Sequence, residues 1–105
     1  MQLWATPFQS IKNGTKTIEM RLYDEKRKTV QVGDKILFKN ADSKQTILTE
    51  VVQLHVYKTF AELYSRFDKI ALGYTQEEVA NPEDMLLYYP QDKIDDYGVV
   101  GIELG

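Results

Sequence analysis

The amino-acid sequence predicts an α+β fold: a small, curved, mostly antiparallel β-barrel with flanking helices. Three observations lead there. Strand-like apolar runs recur at 16–23, 35–39 and 46–57, and the first and last of these alternate with the two-residue period of a half-buried strand. No helical crossover separates these early strands, so they pair antiparallel rather than as a parallel α/β sheet. Helix-start signatures then gather between Thr59 and Pro90, before a last apolar run at 97–104 closes the sheet.

Each element follows in order. A first strand is expected around residues 2–5. Thr6-Pro7 reads as an N-cap followed by proline at the first helical position, with Phe8 and Ile11 three apart and Gly14 stopping a short helix. From Lys16 the pattern changes to alternation, with Lys16, Ile18, Met20 and Leu22 on one side and Thr17, Glu19, Arg21 and Tyr23 on a polar face. The charged run at 24–28 is an exposed loop, and Gly33-Asp34 turns the chain into a strand at 35–39. Residues 40–45 are a polar connection. Residues 46–57 form a long strand that curves to join both sides of the barrel, with Val52, Leu54 and Val56 on one side against Gln53, His55 and Tyr57. Two capping boxes, Thr59-x-x-Glu62 and Thr75-x-x-Glu78, each predict a helix start. Asn81-Pro82 restarts a helical pattern through Met85, Leu86 and Tyr89, and Tyr89-Pro90 ends it. The last strand is 97–104.

A length of 105 residues fits one domain over 1–105. No apolar run approaches the roughly 18 residues that span a bilayer, so no membrane partner is expected. The start, Met1-Gln2-Leu3-Trp4, lacks the basic and apolar regions of a secretory signal, and there is no cysteine, which together point to the cytoplasm. With His55 the single imidazole, a zinc site of the usual ligands cannot be assembled; a carboxylate site for a hard cation stays open, but neither metal nor cofactor is expected. A net charge of −3 argues against a grip on duplex DNA. Its distribution is uneven: residues 1–39 hold eight Lys or Arg against four acids, and residues 40–105 hold five against twelve. The basic half therefore offers an electropositive cleft for an anionic or nucleotide ligand, or a solvated surface whose charges segregate.

The segment Gly14-Thr15-Lys16-Thr17-Ile18-Glu19-Met20-Arg21 lies in that half and carries the chemistry. Lys16, at the mouth of a strand, is suited to bind a phosphate or polarise a carbonyl oxygen, or to pair with an acid near the barrel opening. Glu19 and Arg21 share a face with Thr17. Glu19 would accept from a base's exocyclic amine or activate water, and Arg21 would hold a phosphate or a base edge, unless the two form a surface pair. Trp4 and Tyr23 are the aromatic candidates for stacking a nucleobase. Phe8, Tyr57 and Tyr97 belong to the core, His55 is a packed or surface imidazole, and Asp92-x-x-Asp95-Asp96 is a solvated acidic loop.

The pattern Trp4-x-x-Pro7-Phe8, Ile11-x-x-Gly14-x-Lys16-Thr17-Ile18-Glu19-x-Arg21, Gly33-Asp34-x-Ile36, continued through Val51-Val52, Tyr57-x-Thr59-Phe60, Tyr89-Pro90 and Tyr97-Gly98-Val99, resembles the ASCH domain family over nearly the whole chain. The resemblance implies a PUA-like barrel with a cleft beside Gly14–Arg21, and roles in RNA binding. Some bacterial members are amidohydrolases that deacetylate acetylcytidine with a Lys, a Thr and a Glu. Lys16 matches their lysine, whereas the position of their threonine is Glu19 here; the further acid, somewhere in 68–78, finds no assigned match.

The leading expectation is a module that binds RNA, or a nucleotide or modified nucleoside, through Lys16, Thr17, Glu19, Arg21, Trp4 and Tyr23. The alternative is an amidohydrolase of acetylcytidine-type nucleosides with Lys16 and Glu19 as its catalytic pair. A protein-interaction domain is the second alternative, and the oligomeric state stays open.

Overall fold

A computed structural model describes residues 1–105, with five strands in one curled sheet: β1 (Gln2–Leu3), β2 (Ile18–Leu22), β3 (Lys35–Asn40), β4 (Thr46–Tyr57) and β5 (Val99–Leu104). Across the sheet they run β1-β3-β4-β5-β2. β1 is parallel to β3, and every other pairing is antiparallel. The expected α+β, PUA-like architecture is thus observed as a half-barrel whose two edges are β1 and β2. Four helices flank it: α1 (Ala5–Lys12), α2 (Phe60–Arg66), α3 (Lys69–Leu72) and α4 (Gln91–Tyr97), with 3-10 turns at Arg27–Thr29 and Pro82–Leu87.

β5 sits at the centre and serves two cores. Its alternation sends Val99 into a cluster with Ile18, Met20, Leu22, Phe60, Leu63 and Ile94, on the face covered by the later helices. Val100 and Ile102 point the other way, into the hollow of the curl, with Phe8 and Ile11 of α1 and Ile36, Phe38 and Val51. Gly101 lets α2 approach, since a Cβ there would lie 3.1 Å from Ile18 Cγ2 and 3.4 Å from Leu63 Cδ1.

Several sequence expectations need correction. α1 begins earlier than Thr6-Pro7 suggests: its N-cap is Trp4 rather than Thr6, it makes no side-chain cap, and Pro7 lies in the first turn, where a missing N–H costs nothing. Thr59 caps α2 by accepting from Glu62 N at 3.1 Å, but Thr75 starts no helix. Glu78 Oε1 accepts from Thr75 N at 2.8 Å in an isolated turn, because only half of the reciprocal box forms. The acidic 92–96 stretch is part of α4, anchored by buried Ile94. The charged loop after β2 folds on Asp24, which accepts from Arg27 N and from Arg27 Nη1, each at 3.0 Å. On β4 a register shift between Val51 and Gln53 resets the alternation. Val52, at the shift, is exposed; beyond it Leu54 and Val56 share the face opposite Ile102 and Val100, where Leu54 packs and Val56 stays exposed, and Tyr57 packs against the other cluster. No helix is long and apolar enough to cross a membrane.

Candidate functional site

The half-barrel opens along a seam between β1 and β2, and a cavity of about 510 Å³ occupies it. Gln2 and Leu3 of β1 and Glu19, Met20 and Arg21 of β2 form two of its walls. The start of α1, with Trp4, Thr6 and Pro7, forms a third. The segment from Leu72 to Tyr89 roofs it with Tyr74, Glu78, Asp84, Tyr88 and Tyr89, joined by Tyr64 from α2.

Glu19 organises the floor. β2 is buried on both faces, so the expected polar face meets this cavity rather than bulk solvent. Glu19 Oε1 lies 3.2 Å from Lys16 Nζ, and Glu19 Oε2 accepts from Arg21 Nε at 3.1 Å and Nη2 at 2.8 Å. One carboxylate thus balances two cations in a water-poor setting, the arrangement a buried charge requires. Lys16 precedes the regular strand, which is why its side chain reaches Glu19 although alternation alone would put the two on opposite faces. Its Nζ also donates to the Leu72 carbonyl at 3.3 Å. The lysine stem passes over Gly73, which has φ of +108° and whose hypothetical Cβ would stand 3.0 Å from Lys16 Cδ. A side chain at position 73 would crowd the stem, which would have to give way.

Arg21 completes the floor by reaching across the seam, its Nη2 donating to the Gln2 carbonyl at 3.2 Å. Burial opposes its charge, but the neighbouring Glu19 carboxylate and Tyr89 outweigh that, and its pKa stands above the usual arginine value. In the roof, Tyr74 donates to Asp84 Oδ2 at 2.8 Å, and the Tyr64 hydroxyl lies 2.8 Å from the Tyr74 oxygen. With the Tyr74 proton engaged by the carboxylate, Tyr64 is the donor of the pair. Burial raises the pKa of Tyr64, Tyr74 and Tyr89, reinforced at Tyr74 by these hydrogen bonds. Lys69 Nζ secures the roof by donating to the carbonyls of Gln76 and Glu78 at 2.8 and 2.7 Å.

Of the residues singled out from sequence, Lys16, Glu19, Arg21 and Trp4 line this cavity, and Trp4 stands 62% exposed at its mouth. Two lie elsewhere. Thr17 is turned to backbone pairing, its N–H donating to Ala71 O at 3.0 Å. Tyr23 packs against the α1-side core with Lys28 Nζ 5.7 Å from its ring centroid, outside the cavity lining. The charge also differs from an electropositive cleft: Lys16 and Arg21 meet Glu19, Glu78 and Asp84 in the lining. Missed from sequence were the four roof tyrosines, although the signal was present. Seven Tyr in 105 residues exceed what a small barrel core absorbs, and Tyr88-Tyr89 directly before Pro90 marked where they cluster.

A family model described as the ASCH domain matches residues 1–104. The chain is similar to the crystal structure of the hypothetical protein PH0355, at 31% identity and a TM-score of 0.78, over 99% of this chain and 94% of that one. It is also similar to the solution structure of protein PF0455 from Pyrococcus furiosus, at 30% identity and a TM-score of 0.67, over 99% of this chain and 96% of that one. No curated protein matches it.

Proposed function

The chain belongs to the ASCH domain family, and from that premise we propose that it is a binding module whose seam cavity accepts RNA, or a nucleotide or modified nucleoside. The family is commonly RNA-binding-like. The observation that carries the reading is that one cavity, of about 510 Å³, brings Lys16, Glu19 and Arg21 together with Trp4 and four tyrosines. That volume lies within the roughly 300–1,000 Å³ of ligand pockets. Its chemistry suits a nucleobase, with rings for stacking, a carboxylate to accept from an exocyclic amine, and cation N–H groups for carbonyl oxygens. The lack of cysteine suits the reducing cytoplasm where such ligands lie.

Trp4 is the one tryptophan, so its emission reports directly on the cavity mouth. Titration with a short single-stranded RNA and with ribonucleosides should quench it saturably. Trp4→Ala, a change at an exposed position, should weaken binding by about 1–3 kcal/mol when followed by calorimetry, the usual worth of a stacked base. Arg21→Ala should also weaken it, with circular dichroism checking the fold. Unchanged affinity in both variants would remove the cavity assignment.

A second reading, hydrolysis of an acetylated cytidine, rests on Lys16 Nζ standing 3.2 Å from Glu19 Oε1. Water would add to the acetyl carbonyl as Glu19 takes its proton, Lys16 would stabilise the oxyanion, and the proton would pass to the departing exocyclic amine of cytidine as the C–N bond breaks and acetate is released. Incubation with acetylcytidine, followed by chromatography with Lys16→Ala in parallel, decides it. Turnover confined to the wild type supports the enzyme, and no turnover removes it.

A further inference from the structure

The charges that line the seam cavity fall into two groups. On the floor, Glu19 lies 3.2 Å from Lys16 Nζ and 2.8 Å from Arg21 Nη2, so these three close on one another. In the roof, Asp84 and Glu78 line the same space and neither forms an ion pair. Asp84 Oδ2 accepts from the Tyr74 hydroxyl and Glu78 Oε1 from Thr75 N, each at 2.8 Å, and neutral donors leave both carboxylates their full charge. Lys69, which secures the roof, lies outside the lining, its Nζ donating to the carbonyls of Gln76 and Glu78. Two cations against three carboxylates give the lining an excess of one negative charge, and that excess sits in the roof.

The roof is also aromatic. The Tyr64 and Tyr74 rings stand at 70° with centroids 5.9 Å apart, two walls of a corner that the Tyr74 hydroxyl ties to Asp84. At the mouth, Trp4 and Tyr88 are 62% and 57% exposed, so their rings stay open to a ligand. The face of an aromatic ring carries negative charge density and attracts a cation, most strongly where water is displaced. Ring faces and unpaired carboxylates therefore act with one sign: both favour a positive ligand and both oppose a phosphate dianion. Resting on the base-binding role proposed above, we propose that the cavity selects a nucleobase with a positive charge fixed by methylation of a ring nitrogen over its neutral counterpart. The charged ring takes Asp84 and Glu78 as counter-ions, while the floor supplies donors for a ring carbonyl, since Lys16 has N–H groups beyond those given to Glu19 and Leu72.

The test titrates two pairs of methylated nucleosides into the intact protein by calorimetry at neutral pH: 1-methyladenosine against N6-methyladenosine, and 3-methylcytidine against 5-methylcytidine. Within each pair the methyl group only changes place, and only the first member is a cation. The cationic member should bind about tenfold or more tightly, as cation–π and carboxylate contacts allow, with the advantage shrinking at high salt. Asp84→Asn and Glu78→Gln keep an accepting oxygen and remove the charge, so each should draw the ratio of affinities toward one. Glu78 is exposed, so its variant stays informative even where Asp84→Asn disturbs the Tyr74 bond. Glu77→Gln, at an exposed neighbour outside the lining, should leave the ratio as it is. Equal affinity within both pairs, a ratio unmoved by either lining variant, or one moved as far by Glu77→Gln overturns the selection for a cation and leaves the cavity's base-binding role standing. Tetramethylammonium binding as tightly as 1-methyladenosine also overturns it, by marking a bare ammonium cage. Failure of all four nucleosides while single-stranded RNA binds overturns this inference alone, and failure of the RNA as well overturns the cavity role with it.

Discussion

Arg21 Nη2 donates to the Gln2 carbonyl at 3.2 Å, and that bond spans the two strands at opposite ends of the sheet order. The curl is thus fastened by a side chain where no backbone ladder closes it. The same guanidinium is oriented by Glu19 through Nε and Nη2, so the fastening depends on a carboxylate that Lys16 also uses. Stability and the candidate site therefore share residues.

Glu19 should be the most sensitive of the three. Glu19→Ala strands two cations in the cavity floor, whereas Lys16→Ala or Arg21→Ala leaves the carboxylate one partner. Breaking a buried pair from one side costs about 3–5 kcal/mol, and urea unfolding should put Glu19→Ala in that range with the other two below it. An equal loss for Lys16→Ala would show that Arg21 alone does not satisfy Glu19.

Gly73→Ala tests the passage of the lysine stem. The backbone there has φ of +108° and the new Cβ would meet Lys16 Cδ at 3.0 Å. The strained backbone alone should cost about 1–3 kcal/mol. Displacing Lys16 should additionally weaken ligand binding, so thermal melts and titration should both change; a melt shift with intact binding would mean that the stem simply moves aside.

Alkaline pH should destabilise the fold through the roof tyrosines. Burial raises the pKa of Tyr64, Tyr74 and Tyr89 above the ordinary 10.0, so above that pH the native state holds more protons than the unfolded chain. Their contribution is present in full below pH 10 and is lost as pH rises from there through the folded values. Urea midpoints measured from pH 8 to 11.5, a range chosen to bracket about 10, should fall in the upper part of it, and Tyr74→Phe should make that fall shallower.

The two threonine boxes should behave unequally. Thr59→Ala removes a cap that accepts from Glu62 N and should cost about 1 kcal/mol. Thr75→Ala removes a side chain that caps no helix and should stay within about 0.5 kcal/mol in the same denaturation assay.

That contrast shows what the sequence could reveal. Alternation and turn residues located β2, β3, β4 and β5 because a two-residue period is local and strong. The faces of β4 were legible only beyond the bulge: alternation correctly groups Leu54 with Val56, but the irregularity at Val51–Gln53 leaves no mark in composition, so the exposure of Val52 could not be read. Lys16, Glu19, Arg21 and Trp4 were legible as cavity residues because they lie in or near one short segment. Tyr74 and Asp84 were not, because their place opposite Lys16 depends on how the roof folds back over the seam, a long-range matter with no local period.

The central position of β5 has a consequence for synthesis. The strand nearest the end of the chain supplies the spine on which both hydrophobic clusters condense, and its partner β2 lies some eighty residues upstream. On a ribosome, residues 1–98 emerge with the apolar sides of β2 and β4 still lacking their shared neighbour. The nascent chain must hold these strands apart, or shield them, until 99–104 clears the exit tunnel and slots between them.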